Sequence, residues 1–140
     1  MSIYKVIPII VALFFSVISA AGPIVISNSA TKSLSSDDIK NVFLGKKSTL
    51  TTGEKVILAT LANGEVHTTF MEQTLGKQPD QFSVYWKQLV FTGRGSMPKS
   101  FDTEQDLIDY VAKTKGAVGY VSAEKKSSLP ANVNVIDIAK

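Results

Sequence analysis

The 140-residue chain holds one histidine, His67, and one arginine, Arg94, and these are the first places to look for chemistry. A lone histidine cannot build a metal cluster, and neither Glu65 nor Glu72 nearby completes a ligand set with it. No cysteine is present, which removes disulfides, thiolate metal sites, cysteine nucleophiles and the lipidated cysteine of a lipoprotein. A serine nucleophile needs a base, and the G-x-S-x-G elbow is absent. The string Gly93-Arg94-Gly95-Ser96 is glycine-rich but lacks the spacing G-x-x-x-x-G-K-[ST], and it follows a helical segment instead of a strand. The acidic pair Asp37-Asp38 sits where a helix should start and suits its dipole. These residues form no catalytic constellation, so a non-enzymatic protein without a cofactor is expected. A hydrolase would need an acid–base pair that the sequence does not offer.

The same residue types do permit anion binding. One candidate is the helix start at Asn63-Gly64, where backbone N–H groups and the helix dipole favour negative charge and glycine allows close approach. His67 and Thr68 would add side-chain donors there. The other is the loop Thr92-Gly93-Arg94-Gly95-Ser96, because the guanidinium fork of arginine matches phosphate and carboxylate. The candidate ligand-binding residues are therefore Asn63, Gly64, His67, Thr68, Thr92, Gly93, Arg94 and Ser96. Each has a plainer reading: His67 as a helix-start histidine, and Arg94 as a surface charge beside glycines that only permit a turn.

The elements that must position these residues alternate between strand and helix. Pro23–Ser27 reads as a short buried strand. Ser35 and Asp38 then have capping-box spacing ahead of a helix that carries Ile39, Val42 and Phe43 on one face and stops at Gly45. Lys46–Lys55 is polar and predicts a loop or poor hairpin turning at Thr52-Gly53. Val56–Thr60 is the second strand. Asn63 is placed to cap a helix ending at Gly76, and Asp80 to cap another with Phe82, Tyr85, Trp86, Leu89 and Val90 in register. Trp86 is expected in the core. Phe91–Pro98 reads as an irregular loop, and Asp102-Thr103 begins a helix that turns Leu107, Ile108, Val111 and Ala112 inward. Ala117–Val121 and Val133–Ile138 complete four strands. Such interleaving argues for one α/β layer domain.

Residues 1–21 are expected to be a secretory signal peptide. Lys5 marks its basic start, Val6–Ile18 is uncharged, and Ser19-Ala20-Ala21 offers the small residues of a cleavage site. Thirteen residues at about 1.5 Å each span roughly 20 Å, short of a hydrocarbon core of about 30 Å. Cleavage after Ala21 leaves residues 22–140 as the mature domain, and with Lys5 gone the net charge falls from +3 to +2. So small an excess, spread over scattered lysines, does not argue for nucleic acid. The expected location is periplasmic or secreted, free of the membrane after cleavage.

The order of segments resembles phosphate-type periplasmic binding proteins, the PstS-like family. The resemblance is carried by Leu34-Ser35-x-x-x-Ile39-x-x-Val42-Phe43-Leu44-Gly45-Lys46, Phe70-x-x-x-x-Leu75-Gly76, Trp86-x-x-x-x-Phe91-x-Gly93, Pro98, and Val111-x-x-x-x-Gly116-Ala117-Val118-Gly119-Tyr120-Val121. It implies a single lobe of the type 2 periplasmic-binding-protein fold, with a central mixed sheet flanked by helices. It implies a phosphate-like ligand and delivery to an ABC transporter. The family's arginine and Ser-Gly-Thr ligand positions fall here on Thr60 and Gly64-Glu65-Val66, so its usual hydroxyls are missing and Glu65 opposes an anion. Two readings stay open: a binder of phosphate or another small anion, and an interaction module that docks on a transporter, a sensor or a second copy of itself.

Overall fold

In the computed structural model, residues 22–31, 34–50 and 53–136 are described; residues 1–21, expected to be a signal peptide, lie outside them. Val25 and Ile26 are adjacent yet both are fully buried, so both faces of their strand must be covered. That strand, β1 (Ile24–Asn28), lies inside a five-stranded sheet with β2 (Ile57–Leu61), β3 (Lys99–Phe101), β4 (Ala117–Val121) and β5 (Val133–Ile136), in the order β3-β2-β4-β1-β5. β2 runs parallel to β3 and β4, whereas β1 runs antiparallel to β4 and β5. The fold is the mixed α/β layer expected.

Among the described residues four α-helices accompany the sheet: α1 (Ser36–Phe43), α2 (Glu65–Phe70, continued by a π turn over Met71–Leu75), α3 (Pro79–Phe91) and α4 (Glu104–Lys113). Successive residues of β4 show how both faces are filled. Tyr120 faces α1 and α2, stacking on Phe70 with ring centroids 4.0 Å apart, while Phe43 meets Phe70 edge-on at 4.9 Å. Gly119 faces α4 so closely that a Cβ there would stand 2.8 Å from a Leu107 methyl. Buried Asn28 ties α4 to β1 by donating to the carbonyls of Val111 and Ala112 at 2.9 and 3.2 Å.

Several local expectations are corrected. There are five strands among the described residues, not four: β3 was hidden in the stretch read as a loop running into a helix, because it has three residues and only Phe101 is apolar. Asn63 does not cap α2; Gly64, with φ 99°, takes that place. Asp80 does not cap α3 either. Pro79 occupies the first turn, and the N-cap is Gln78, whose N–H donates to the Gln81 side chain at 2.9 Å. Val90 was expected inside but is 37% exposed. The capping box of α1 and the Thr103 cap of α4 are present, the Thr103 hydroxyl accepting from Asp106 N–H at 3.1 Å. Among the described residues no helix is long and apolar enough to cross a membrane.

Candidate functional site

Strand β2 ends at Leu61, and Ala62, Asn63 and Gly64 lead directly into α2; Asn63, Gly64 and the first helical residue, Glu65, are exposed. His67, one turn further on, is instead buried, at 7% exposure. Its Nδ1 is hydrogen-bonded to the Tyr120 hydroxyl, which also accepts the Leu61 N–H at 3.0 Å. Proton positions follow from counting this network. The phenol has one proton to give and is fully buried, so it donates to Nδ1. Burial lowers the His67 pKa below its ordinary 6.5 and pushes that of Tyr120 well above 10. The imidazole is thus neutral, with its remaining proton on Nε2.

His67 lines a cavity of about 320 Å³ between the end of β2 and the start of α3. Ser83 and Ser100 bring hydroxyls to it, Asp80 brings a carboxylate, and Thr60 also lines it, its hydroxyl donating to Lys99 O at 3.5 Å. The parallel strands of an α/β sheet offer their ligand crevice at this carboxyl end. Thr68 is close in sequence, but its hydroxyl donates to the Gly64 carbonyl at 3.1 Å and is not a spare donor.

The second predicted locus has a different character. Thr92, Gly93 and Arg94 close the C-terminus of α3 in a Schellman arrangement. The Gly93 N–H donates to Val90 O at 3.0 Å and the Arg94 N–H to Leu89 O at 2.8 Å, with Gly93 at φ 74°. The Thr92 hydroxyl donates back to Gln88 O at 3.0 Å. The Thr92, Gly93 and Arg94 amides are therefore spent on the helix, at its negative dipole end. This corrects the expectation of an amide cradle at these three residues; the Arg94 side chain is exposed.

The two loci do not meet. His67 shares its cavity with none of Thr92–Ser96, and Ser96 lines a different cavity of about 410 Å³ that also borders Trp86. Sequence reasoning missed Tyr120 as the partner of His67. The available signal was a tyrosine inside the buried strand Ala117–Val121, since a buried phenol must find a partner. Among the described residues no three His, Asp or Glu side chains gather as a metal site.

Comparison with known proteins bears on the fold. No family model and no curated protein matches the chain. Among solved structures it is similar to a chain from Planctomyces limnophilus described as a possible phosphate binding protein, with TM-score 0.60 and 13% identity over 85% of this chain and 42% of that one. A chain from Clostridium perfringens, described as a phosphate ABC transporter substrate-binding protein and solved with bound phosphate, gives 0.59 and 16% over 83% and 44%. An ABC-type phosphate transport receptor from Vibrio cholerae gives 0.56 and 15% over 83% and 45%. The chain therefore spans less than half the length of these structures and shares their fold over that part.

Proposed function

We propose that this chain is an exported, non-enzymatic solute-binding lobe that takes a small oxyanion, with hydrogenphosphate the leading candidate, at the carboxyl end of β2. One observation carries the reading: the Tyr120 hydroxyl occupies His67 Nδ1, which leaves Nε2 as the ring nitrogen to serve a ligand, and His67 lines the cavity together with Thr60, Ser83 and Ser100. The likeness to phosphate-binding chains supports it. Asp80, on the same cavity, favours a solute that still carries a proton to donate, and with Glu65 it argues for modest affinity. Delivery of the solute to an ABC transporter or a sensor belongs to the same proposal. Isothermal titration with phosphate and sulfate tests it: saturable heat with phosphate, lost in His67→Ala, is expected. Absence of heat and of any thermal shift at millimolar anion would remove the proposal.

A second reading, an interaction module, is favoured by the outer side of α3. There Val84 is 53% exposed and Phe91, two turns on, is 93% exposed. Single apolar residues on a surface are common, but two on one helix face offer the start of a contact patch. Sedimentation of a clean monomer, with no transporter or sensor partner recovered, argues against it.

A further inference from the structure

The solute site at the end of β2 leaves the larger cavity, beside the start of that strand, without a role. Three lysines line it: Lys47 from the segment after α1, Lys55 ahead of β2, and Lys99 on the edge strand β3. No carboxylate is among its lining residues. Lys47 is shared with Asp38, whose Oδ1 lies 2.9 Å from its Nζ. Among the described residues Lys55 has no ion-pair partner, and the Lys99 ammonium lies 5.7 Å from the Tyr110 ring centroid. Positive charge therefore gathers at this cavity without a full set of counter-charges.

The rest of the lining is largely aromatic and apolar, with Trp86 and Tyr110 beside Val42 and Leu58. Gly95 lines the cavity as well, against Trp86. That residue lies outside the left-handed region, so its backbone conformation does not demand glycine. Space does: a Cβ at position 95 would stand 3.1 Å from Trp86 Cζ3, and one at Gly45 would stand 3.0 Å from Cη2. Two chain segments without side chains thus bracket the indole and leave its edge in the cavity wall.

A bare inorganic anion would leave the aromatic wall unused, and a neutral apolar molecule would leave the lysines uncompensated. At about 410 Å³ the cavity falls within the size range of small-molecule sites, which combine an apolar lining with a few placed charges. We infer that it is a second binding site, for a small organic anion such as a phosphate ester or carboxylate that carries a compact aromatic or aliphatic body. This inference is independent of phosphate binding beside His67.

Trp86 is the only tryptophan, so its fluorescence reads the cavity directly. Phenyl phosphate is the probe, with benzyl alcohol as its neutral counterpart and inorganic phosphate as the bare anion. The expected result is a saturable change in Trp86 emission with phenyl phosphate, weakened about tenfold in Lys55→Gln and in Lys99→Gln, because each removes one charge-assisted contact. Benzyl alcohol should bind far more weakly. Both lysine variants change exposed side chains, and their melting curves should match the parent. Trp86 also borders the His67 cavity, so the lysine variants separate the sites: they should leave any inorganic phosphate binding unchanged while reducing that of phenyl phosphate. No saturable response, an equal response to benzyl alcohol, or full retention of phenyl phosphate binding in both lysine variants would overturn the inference.

Discussion

Replacing Tyr120 by phenylalanine removes one oxygen from the centre of the protein and tests the arrangement around His67. The ring stack on Phe70, at 4.0 Å and 9° between planes, should survive because the ring is unchanged. What is lost is the acceptor for the Leu61 N–H, 3.0 Å away, and the donor to His67 Nδ1. A buried polar group left unpaired costs about 1–3 kcal/mol. Two groups are affected, but His67 can turn its ring and recover a partner, so a total of about 2 kcal/mol is expected. For a domain of this size that corresponds to a fall in Tm of roughly 8 °C. Urea denaturation followed by the emission of Trp86, itself 4% exposed, measures it. A midpoint within about 0.5 kcal/mol of the parent, the range of an ordinary surface change, would refute the claim that Leu61 and His67 depend on this hydroxyl. The same variant should weaken phosphate binding, because the imidazole is no longer held in one tautomer.

Acidification gives a second measurement. Burial holds the His67 pKa below its unfolded value of 6.5, so the unfolded chain binds the extra proton first. Stability is present above pH 6.5 and is lost as pH falls from there toward the folded pKa, with a slope of at most about 1.4 kcal/mol per pH unit. His67→Gln should flatten urea midpoints between about pH 7.5 and 5, where carboxylates remain ionised; an unchanged slope in that variant refutes the assignment. Gly119→Ala pushes a methyl into Leu107, 2.8 Å away, and toward Ala59 O at 3.1 Å. It should cost about 1–3 kcal/mol by overpacking, read as a lower melting temperature. Arg94→Ala should leave both phosphate binding and stability within about 0.5 kcal/mol of the parent, because its loop amides already close α3. Loss of phosphate heat in this variant would restore the loop as a ligand site.

The helices were legible because each turns a recurrent apolar face to the sheet: Ile39, Val42 and Phe43 in α1, and Leu107, Ile108 and Val111 in α4, are all buried. Their ends were less so. Asn63 and Asp80 are good capping residues by type, yet Gly64 adopts a positive φ one residue later and Pro79 starts its helix one residue earlier. Local propensity named a good candidate in each case, and a neighbour with stricter backbone demands decided the boundary. In α3 the apolar periodicity ran on through Val90, which the fold nevertheless leaves 37% exposed. β3 carried no signal because an edge strand that pairs only with Ala59–Leu61 needs no alternating pattern.

The candidate sites were harder to read because residue type names the donors a side chain or amide owns, not those it has left. Thr68, Thr92, Gly93 and Arg94 all own donors suited to an anion, and in the fold they donate to Gly64, Gln88, Val90 and Leu89 respectively. His67 owns one proton when neutral. It remains available only because a tyrosine 53 positions away occupies the other ring nitrogen. Lys47, Lys55 and Lys99 looked like scattered surface charge because Lys99 lies far along the chain from the other two, and the fold brings all three to one cavity. A free hydrogen-bonding group is what remains after the fold has satisfied its own buried polar atoms. That subtraction requires long-range pairings such as β2 with β3 and His67 with Tyr120, and those pairings are tertiary facts.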